Sequence, residues 1–151
     1  MDGNEYPLRR MEKMIEVLRE NGCRITPQRL ALLKILSMSD VHPSAEDLYA
    51  HLKRDFATTS LATVYKTVGL LREVGEVWEL NFGDGKNRYD GNKPYPHVHL
   101  VCVKCKKVID ADMKSIRDFS KELSQKTGFR VLRQRLDFFG LCQGCQGVKQ
   151  L

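Results

Sequence analysis

The chain has 151 residues and a formal net charge of +6, which is enough sequence for one or two small domains with cores of their own. Hydrophobic residues make up 42% and charged residues 29%, and this ordinary composition excludes a collagen, a coiled-coil rod and a wholly disordered chain. The uncharged apolar runs are too short to span a bilayer, and residues 1–10 lack the apolar stretch of a signal peptide. We therefore expect a cytoplasmic protein without a membrane partner.

The positive charge is unevenly distributed along the chain. Residues 1–84 carry 11 basic and 13 acidic side chains, whereas residues 85–151 carry 14 basic and 6 acidic ones. An excess of basic residues permits nucleic acid as a partner. Here that excess lies in the second half of the chain, outside the half that contains the first four predicted helices. A prediction of DNA binding must therefore rest on motifs and not on bulk charge.

The first two predicted helices have clear boundaries. Apolar residues recur every three or four positions from Leu8 to Glu20, which predicts an amphipathic helix that ends at an Asn-Gly pair. Thr26 followed by Pro27 is typical of a helix start, with threonine as the cap and proline in the first turn. We expect this second helix to end near Ser37 and to bury Leu30, Leu33 and either Ala31 or Ile35.

A third helix is predicted from a capping box. Ser44 is followed three residues later by Asp47, and this spacing lets each side chain bond the backbone N–H of the other residue. The helix should run through about Lys53, with Leu48 and Leu52 as its buried stripe.

A fourth helix is predicted between Ser60, its cap, and Gly75, its end. One face is apolar and consists of Leu61, Val64, Val68 and Leu71. Thr63, Lys66 and Thr67 are left on the opposite side of the helix, away from the predicted core.

A hairpin should follow the fourth helix. Residues 77–82 alternate in polarity, Gly83-Asp84-Gly85 provides a turn, and residues 87–90 return as a second strand. Helices closed by a two-stranded hairpin occur in this order in a winged helix-turn-helix, whose last helix reads a major groove and whose hairpin is the wing.

The second half of the chain has a different pattern. Residues 91–96 contain two prolines and read as a linker. Strands are predicted over His97–Val103, Lys107–Asp112 and Phe129–Phe139, around one helix from about Met113 to Thr127. The expected fold class is therefore α+β, with a winged-helix domain at 1–90, a linker at 91–96 and a small α+β domain at 97–151.

Four of the five cysteines form two Cys-x-x-Cys pairs, Cys102 with Cys105 and Cys142 with Cys145. A two-residue gap lets both sulfurs of a pair reach one metal, and Zn²⁺ prefers four thiolates in a tetrahedron. Two disulfides or redox motifs are the alternative interpretation. A cytosolic chain disfavours disulfides, and neither pair is predicted at a strand-to-helix turn, so we predict a structural zinc site.

A second group of candidate ligands has harder donor atoms. His97 and His99 lie on the same face of a predicted strand because side chains alternate with period two. His42 precedes a capped helix, Asp90 begins the linker and Asp110 ends a strand. Taken singly, each has an ordinary explanation as a hydrogen-bonded or solvated side chain, and spacing alone does not join them. Together, three imidazoles and two carboxylates would suit Fe²⁺, Mn²⁺ or Zn²⁺.

The order of these parts resembles the ferric uptake regulator (Fur) superfamily over about residues 8–145. Arg24–Arg29 resembles the start of the family's second helix, His42–Tyr49 its interdomain loop and Ser60–Lys66 its DNA-reading helix. The His-x-His pair before the first cysteine pair, and the second cysteine pair itself, complete the pattern.

Departures within the pattern indicate a branch of the superfamily. The iron-sensing branch typically has a His-His-Asp-His run where this chain has Pro96-His97-Val98-His99. The shorter form, together with aspartate at Asp90 and Asp110, looks like the peroxide-stress regulator branch. Residues 133–136 also lack the histidine that many relatives use for an additional metal site, which implies a single regulatory metal.

The resemblance implies a homodimeric repressor that binds double-stranded operator DNA when a regulatory Fe²⁺ or Mn²⁺ is bound. It implies that Fe²⁺ reacts with hydrogen peroxide and that His42 or His97 is oxidised. The implied ligands of the regulatory metal are His42, Asp90, His97, His99 and Asp110, and the implied DNA contacts are Arg24, Arg29, Ser60, Thr63, Tyr65 and Lys66.

Three alternatives remain open at this point. Within the family, the chain could sense the concentration of iron or zinc and control metal uptake genes. A metallohydrolase could use a His-x-His pair with carboxylates, but the sequence offers no glutamate placed as a general base near His97, and we predict no enzyme activity. A zinc-ribbon interaction module without a DNA role would leave the capped fourth helix unexplained.

Overall fold

The protein is described from a computed structural model that covers residues 5–113 and 115–147. Two compact units are distinguished, residues 1–94 and residues 95–151, and each is described by itself. The division lies within the predicted linker 91–96, and the chain end at 148–151 lies outside the described residues. None of the helices that the structure describes has both the length and the apolar character needed to cross a membrane.

The first unit contains four helices and a hairpin. The helices are α1 (Glu5–Glu20), α2 (Pro27–Met38), α3 (Ala45–Asp55) and α4 (Leu61–Glu73). The antiparallel strands are β1 (Trp78–Asn81) and β2 (Asn87–Asp90). Gly75 follows α4 with a φ of 80°, and this left-handed conformation, which glycine adopts without steric cost, ends the helix.

All three predicted helix caps are confirmed. The N–H of Arg29 donates to Thr26 Oγ1 at 3.3 Å at the start of α2. At α3 the capping box is complete, because Asp47 N donates to Ser44 Oγ at 3.1 Å and Ser44 N donates to Asp47 Oδ2 at 3.0 Å. Ser60 Oγ accepts the corresponding bond at α4. Each cap satisfies a backbone donor that the helix itself leaves without a partner.

Large apolar side chains from all four helices and the hairpin form the core of this unit. The buried apolar stripe predicted for α3 is confirmed at both of its positions. The stripe predicted for α4 is confirmed at three of four positions, because Leu61 is only partly buried. The buried core residues are Met14, Leu18, Leu32, Leu33, Leu36, Ala45, Leu48, Leu52, Val64, Val68, Leu71, Val77 and Tyr89.

Two predictions of burial in this unit are wrong. Leu30 is 40% exposed, and Leu32 and Leu36 are buried beside the correctly predicted Leu33. Helix α2 carries apolar residues on most of its sides, so their period does not specify which side turns inward. Thr67 is only 2% exposed instead of lying on the open face of α4. Its hydroxyl donates to Thr63 O at 2.8 Å, which allows the polar group to be buried.

The second unit is built on a three-stranded sheet. Its elements are β3 (Val98–Cys102), β4 (Val108–Ala111), α5 (Ile116–Thr127), β5 (Leu136–Gly140) and the short α6 (Gln143–Gln146). Strand β3 is central, antiparallel to β4 and parallel to β5.

The strand predicted over Phe129–Phe139 begins later than expected. Only Leu136–Gly140 is strand, and residues 129–135 are irregular. The ladder between β5 and β3 begins where Leu136 pairs with Val98, the first residue of β3. Strand β5 therefore begins at Leu136. The predicted helix is likewise shorter, because α5 starts at Ile116 and not near Met113.

The two faces of this sheet differ. Adjacent rows run across the three strands, and the alternation of side chains places neighbouring rows on opposite faces. One row consists of Ile109, Leu100 and Phe138, which are 43%, 44% and 54% exposed. The next row consists of Asp110, His99 and Asp137, so an apolar face and a face of ionisable side chains lie back to back.

Candidate metal centres

The four cysteines of the predicted zinc site lie together in the second unit. Cys102 ends β3, Cys105 lies in the turn after it, and Cys142 and Cys145 lie at α6. Because β3 is parallel to β5 and Cys102 pairs with Gly140, the chain leaving β5 passes beside the end of β3. The backbone N–H of Cys142 accordingly donates to Cys102 Sγ at 3.4 Å.

The geometry of the cluster fits a zinc ion. The four Sγ atoms lie within 4.8 Å of one another, and the Sγ atoms of Cys105 and Cys142 are 3.6 Å apart. Four thiolates at about 2.3 Å from a tetrahedral Zn²⁺ are separated by about 3.8 Å, whereas disulfide sulfurs are about 2.05 Å apart. All four cysteines are free thiols, so the arrangement is that of a Cys₄ zinc site.

The thiols differ in how readily they lose a proton. The N–H of Cys142, followed by other backbone donors, lowers the pKa of Cys102 to about 6. The pKa of Cys145 is raised to about 12, mainly by its bond to Cys142 and by burial among the other sulfurs. Successive negative charges in one small space become more costly, and a dication held by the thiolates offsets that cost.

Three of the predicted regulatory ligands converge on the ionisable face of the sheet. His97 Nε2 lies 3.5 Å from Asp110 Oδ1, and His99 Nε2 lies 3.9 Å from the same oxygen. Both imidazoles are almost fully buried, and their ring centroids are 4.5 Å apart. Neighbouring ligands of one ion with bonds of about 2.1 Å are separated by about 3.0–3.4 Å, so these three donor atoms are close to the spacing a metal requires.

Each imidazole is oriented through its other nitrogen. His97 Nδ1 donates to the carbonyl oxygen of Tyr95 at 2.8 Å, which turns its Nε2 toward Asp110. His99 Nδ1 donates to Asp137 Oδ1 at 3.2 Å. Asp137 was not singled out from the sequence, because only the pairing of β3 with β5 places it opposite His99.

The two remaining predicted ligands, His42 and Asp90, lie close together in the first unit. Their ligand atoms are within 4.8 Å of one another, and both side chains are buried. Asp90 Oδ1 accepts from the N–H groups of Asn92 and Lys93 at 3.1 and 2.9 Å. The amide of Asn92 in turn donates to Asp40 Oδ1 at 2.9 Å, and this bond ties the chain after β2 to the loop that carries His42.

His42 has an unusual backbone conformation. Its φ is +49°, a region that costs a non-glycine residue about 1–2 kcal/mol. Such strained residues cluster at functional sites, where the surrounding structure holds them in place. Here the capped start of α3 follows directly, and the N–H of Tyr89 donates to Pro43 O at 2.9 Å.

The candidate DNA contacts lie on or beside α4. Ser60, Tyr65, Lys66 and Arg24 are exposed, whereas Thr63 and Arg29 are half-buried. The guanidinium of Arg29 donates to Arg24 O at 2.7 Å and to Thr67 Oγ1 at 3.4 Å, so it also braces the start of α2 against α4. Thr63 is bonded to the cap residue Ser60.

Tyr65 is held in place by an acidic side chain. Its hydroxyl donates to Glu46 Oε1 at 2.5 Å, and Tyr65 is 46% exposed. This bond lowers the pKa of Glu46 and raises the pKa of Tyr65. The phenol is therefore kept neutral and pre-positioned on the surface of α4.

Comparison with known proteins identifies the family. The profile of the ferric uptake regulator family matches residues 20–139. The chain belongs to the ferric uptake regulator family. This membership confirms the predicted fold class, a winged-helix domain followed by a small α+β dimerisation domain.

Several Fur-family members are similar over most of the chain. The peroxide-responsive repressor PerR of Staphylococcus saprophyticus is 38% identical over 136 residues, which cover 90% of this chain and 91% of that protein. The Helicobacter pylori regulator Fur, a structure with three functional metal-binding sites, has a TM-score of 0.79 at 22% identity over 95% and 96% of the two chains, and it supports the fold. The Pseudomonas aeruginosa ferric uptake regulator with manganese has a TM-score of 0.71 at 29% identity over 86% and 98%.

Proposed function

We propose that this Fur-family protein is a metal-dependent transcriptional repressor that senses hydrogen peroxide. It binds operator DNA as a homodimer and acts in the cytoplasm. The observation that carries the proposal is the convergence of His97, His99 and Asp110 on one sheet face. Similarity to a peroxide-responsive repressor over 90% of the chain supports the choice of signal.

The regulatory metal is held by ligands from both units: His42 and Asp90 from the first, and His97, His99 and Asp110 from the second. Three nitrogen and two oxygen donors suit Fe²⁺ and Mn²⁺, which accept imidazole and carboxylate together. Because the ligands come from two units, binding of one metal ion to all of them favours one arrangement of those units over others. The metal thus acts as a corepressor through its differential affinity for the arrangement that binds DNA.

The DNA-reading surface is α4 with the adjoining start of α2. Thr63, Tyr65 and Lys66 contact base edges or the groove walls, while Arg24, Arg29 and Ser60 hold the phosphate backbone. The phenol of Tyr65 donates its one proton to Glu46, so it presents to DNA a fixed aromatic ring and a hydroxyl oxygen that can accept a hydrogen bond.

The homodimer is supported by the apolar row of Ile109, Leu100 and Phe138. Three neighbouring large side chains that are each more than 40% exposed form a patch typical of protein interfaces. A dimer that covers this row leaves the opposite face of the sheet, with its histidines and aspartates, to the metal.

The signal acts on the ligands themselves. Fe²⁺ held by these ligands would supply the redox chemistry by which one oxygen atom of hydrogen peroxide is added to an imidazole carbon and water is released. His42 or His97 receives the oxygen, and the oxidised ring is a poorer ligand. The corepressor is then lost and the operator is released.

Peptide mass mapping tests the proposal. The Fe²⁺-loaded protein is exposed briefly to substoichiometric hydrogen peroxide, with the Mn²⁺-loaded protein as the control, and DNA affinity is followed by fluorescence anisotropy. We expect one added oxygen on the peptides that contain His42 or His97, with iron only, together with loss of DNA affinity. Unmodified histidines at full iron occupancy would contradict peroxide sensing and leave a sensor of metal concentration.

A charge-removal pair tests the DNA surface. Lys66→Ala should weaken operator binding and reduce the preference for operator over unrelated DNA, because Lys66 is assigned to the groove and not to the phosphates. Lys126→Ala, which removes an exposed lysine from α5, is the matched control and should change neither. Equal effects of the two substitutions would show that α4 is not the reading element.

A further inference from the structure

We infer that Asp137, clamped by Arg135, is a positioning residue that holds His99 in the one tautomer able to bind the regulatory metal through Nε2. This inference rests on the proposed function, because it assumes that His99 is a metal ligand. It adds to the five ligands a residue that does not itself bind the ion.

The strand register places His99 between two carboxylates. His99 is on the central strand, opposite Asp110 on β4 and opposite Asp137 on β5. Its two ring nitrogens face these neighbours separately, with Nε2 3.9 Å from Asp110 Oδ1 and Nδ1 3.2 Å from Asp137 Oδ1. The imidazole is fully buried, so its orientation is set by these partners and the surrounding packing.

The two carboxylates have different surroundings and therefore different roles. Asp110 Oδ1 also approaches His97 Nε2, at 3.5 Å, and lies where two ring nitrogens converge. Asp137 is bound instead by a guanidinium: Arg135 Nε donates to Oδ1 at 3.0 Å, and Arg135 Nη2 lies 2.7 Å from Oδ2. A bidentate guanidinium pair engages both carboxylate oxygens and is geometrically specific, so both oxygens of Asp137 already have a cationic partner.

The tautomer follows from the chemistry of the acceptor. A carboxylate paired with arginine accepts hydrogen bonds and has no proton to donate. The short contact with His99 therefore requires a proton on Nδ1, and the lone pair of a neutral ring is then on Nε2. A carboxylate behind a metal-bound imidazole is a recurring arrangement, and its loss typically weakens metal binding 10–100-fold.

His97 offers a comparison within the same site. Its Nδ1 donates to the carbonyl oxygen of Tyr95 at 2.8 Å, so a neutral backbone group fixes the same tautomer there. The backbone acceptor of His97 cannot be removed by changing a side chain. The acceptor of His99 is the side chain of Asp137 and can be removed by substitution. Such a substitution changes the tautomer and orientation of His99 without removing the ligand itself.

The test uses the full-length protein with its structural zinc in place. Mn²⁺ affinity is measured by electron paramagnetic resonance for Asp137→Ala, for Asp137→Asn and for Glu122→Ala, which removes an exposed carboxylate from α5. We expect a 10–100-fold weaker Kd for Asp137→Ala. Asp137→Asn should retain part of the affinity because its amide oxygen still accepts from Nδ1, and Glu122→Ala should bind as the unmodified protein does. Zinc content and thermal unfolding verify that each variant is folded.

A second readout reports the tautomer directly. In ¹⁵N-histidine-labelled protein without regulatory metal, we expect His99 to show a protonated Nδ1, and Asp137→Ala to shift protonation toward Nε2. Unchanged Mn²⁺ affinity in Asp137→Ala would overturn the inference. Equal loss in Asp137→Ala and Asp137→Asn would also overturn it, because that pattern indicates a direct ligand.

His97→Ala separates this inference from the proposed function. If His97→Ala abolishes Mn²⁺ binding while Asp137→Ala does not weaken it, only the positioning role is wrong. If His97→Ala also leaves binding intact, the proposed regulatory site itself is wrong, and the inference is overturned with it.

Discussion

The two units are stabilised in different ways. The first encloses a core of thirteen buried side chains contributed by four helices and a hairpin. Among the residues of the second unit that the structure describes, the buried apolar side chains are few and mostly small: Val98, Val101, Cys102, Val108 and Ile116. A unit of this size rarely gains enough stability from its core alone, and here four clustered thiols supply the missing cross-link. We therefore expect folding to depend on metal in the second unit and not in the first.

The largest expected effect is loss of the second unit on removal of zinc. Cys102→Ser, or extraction of zinc by a chelator, should unfold residues 95–151 because structural zinc contributes several kcal/mol of folding free energy in small domains. Amide signals of the second unit in ¹⁵N-correlated spectra should collapse, while those of the first unit remain dispersed. Cys23→Ser, outside the cluster, is the control. Dispersed signals from the second unit after verified zinc loss would show that this unit folds without the metal.

The next effect concerns the helical core. Leu48 has no exposed surface, and Leu48→Ala should lower the free energy of unfolding of the first unit by about 2–5 kcal/mol without changing zinc content. Leu30→Ala is the matched control. Because Leu30 is 40% exposed, its truncation should lower the free energy of unfolding much less. Denaturant unfolding followed by helix circular dichroism measures both. Similar losses would mean that α2 buries the face originally predicted.

A smaller effect is expected at the capping box. Ser44→Ala removes the acceptor for Asp47 N and the hydroxyl that donates to Asp47 Oδ2 at 2.7 Å. Replacing an N-cap serine by alanine costs about 0.5–2 kcal/mol. Thermal unfolding of the first unit should show this loss, whereas the exposed Thr58→Ala should not. The prediction fails if the two variants are equally stable.

The smallest effect concerns the wing. Arg88 forms a bidentate pair with Asp84 and lowers the pKa of that carboxyl from 3.8 to about 2. Because the folded pKa is depressed, the stabilisation is present above pH 3.8 and is lost as the pH falls toward 2. Because this half-buried pair lies on the hairpin surface, we expect about 1 kcal/mol or less.

Comparison of two proteins isolates this contribution from other acid effects. The difference in unfolding free energy between the unmodified protein and Asp84→Asn should be constant near neutral pH and shrink below pH 3.8. A difference that persists unchanged at the lowest pH would show that the charge of Asp84 is not its source.

Features that depend on residues close together in the sequence are predicted correctly. The caps at Thr26, Ser44 and Ser60 were predictable because a side chain bonds a backbone donor only two or three residues away. The cysteine pairs were predictable for a similar reason, since the spacing itself brings two sulfurs within reach of one ion.

Predictions failed where long-range packing decided the outcome. The apolar pattern of α2 predicts Leu30 inward, but contacts with other helices bury Leu32 and Leu36 instead. The hydroxyl of Thr67 favours an outward side chain, but its bond to Thr63 O makes burial possible. The strand predicted from Phe129 begins only at Leu136, because Leu136 is the first residue that pairs with β3, at Val98.

The linear sequence is sufficient to predict the capped helix starts of the first unit, the order of helices before strands and the types of metal-binding side chain, because these depend on neighbours a few residues apart. Which side chains share a row of the sheet depends instead on tertiary pairing. The parallel pairing of β3 with β5 joins residues nearly forty positions apart, and it alone sets His99 beside Asp137. A shift of one residue in that register would place Phe138 there, which is why this feature of the site could not be read from the linear pattern.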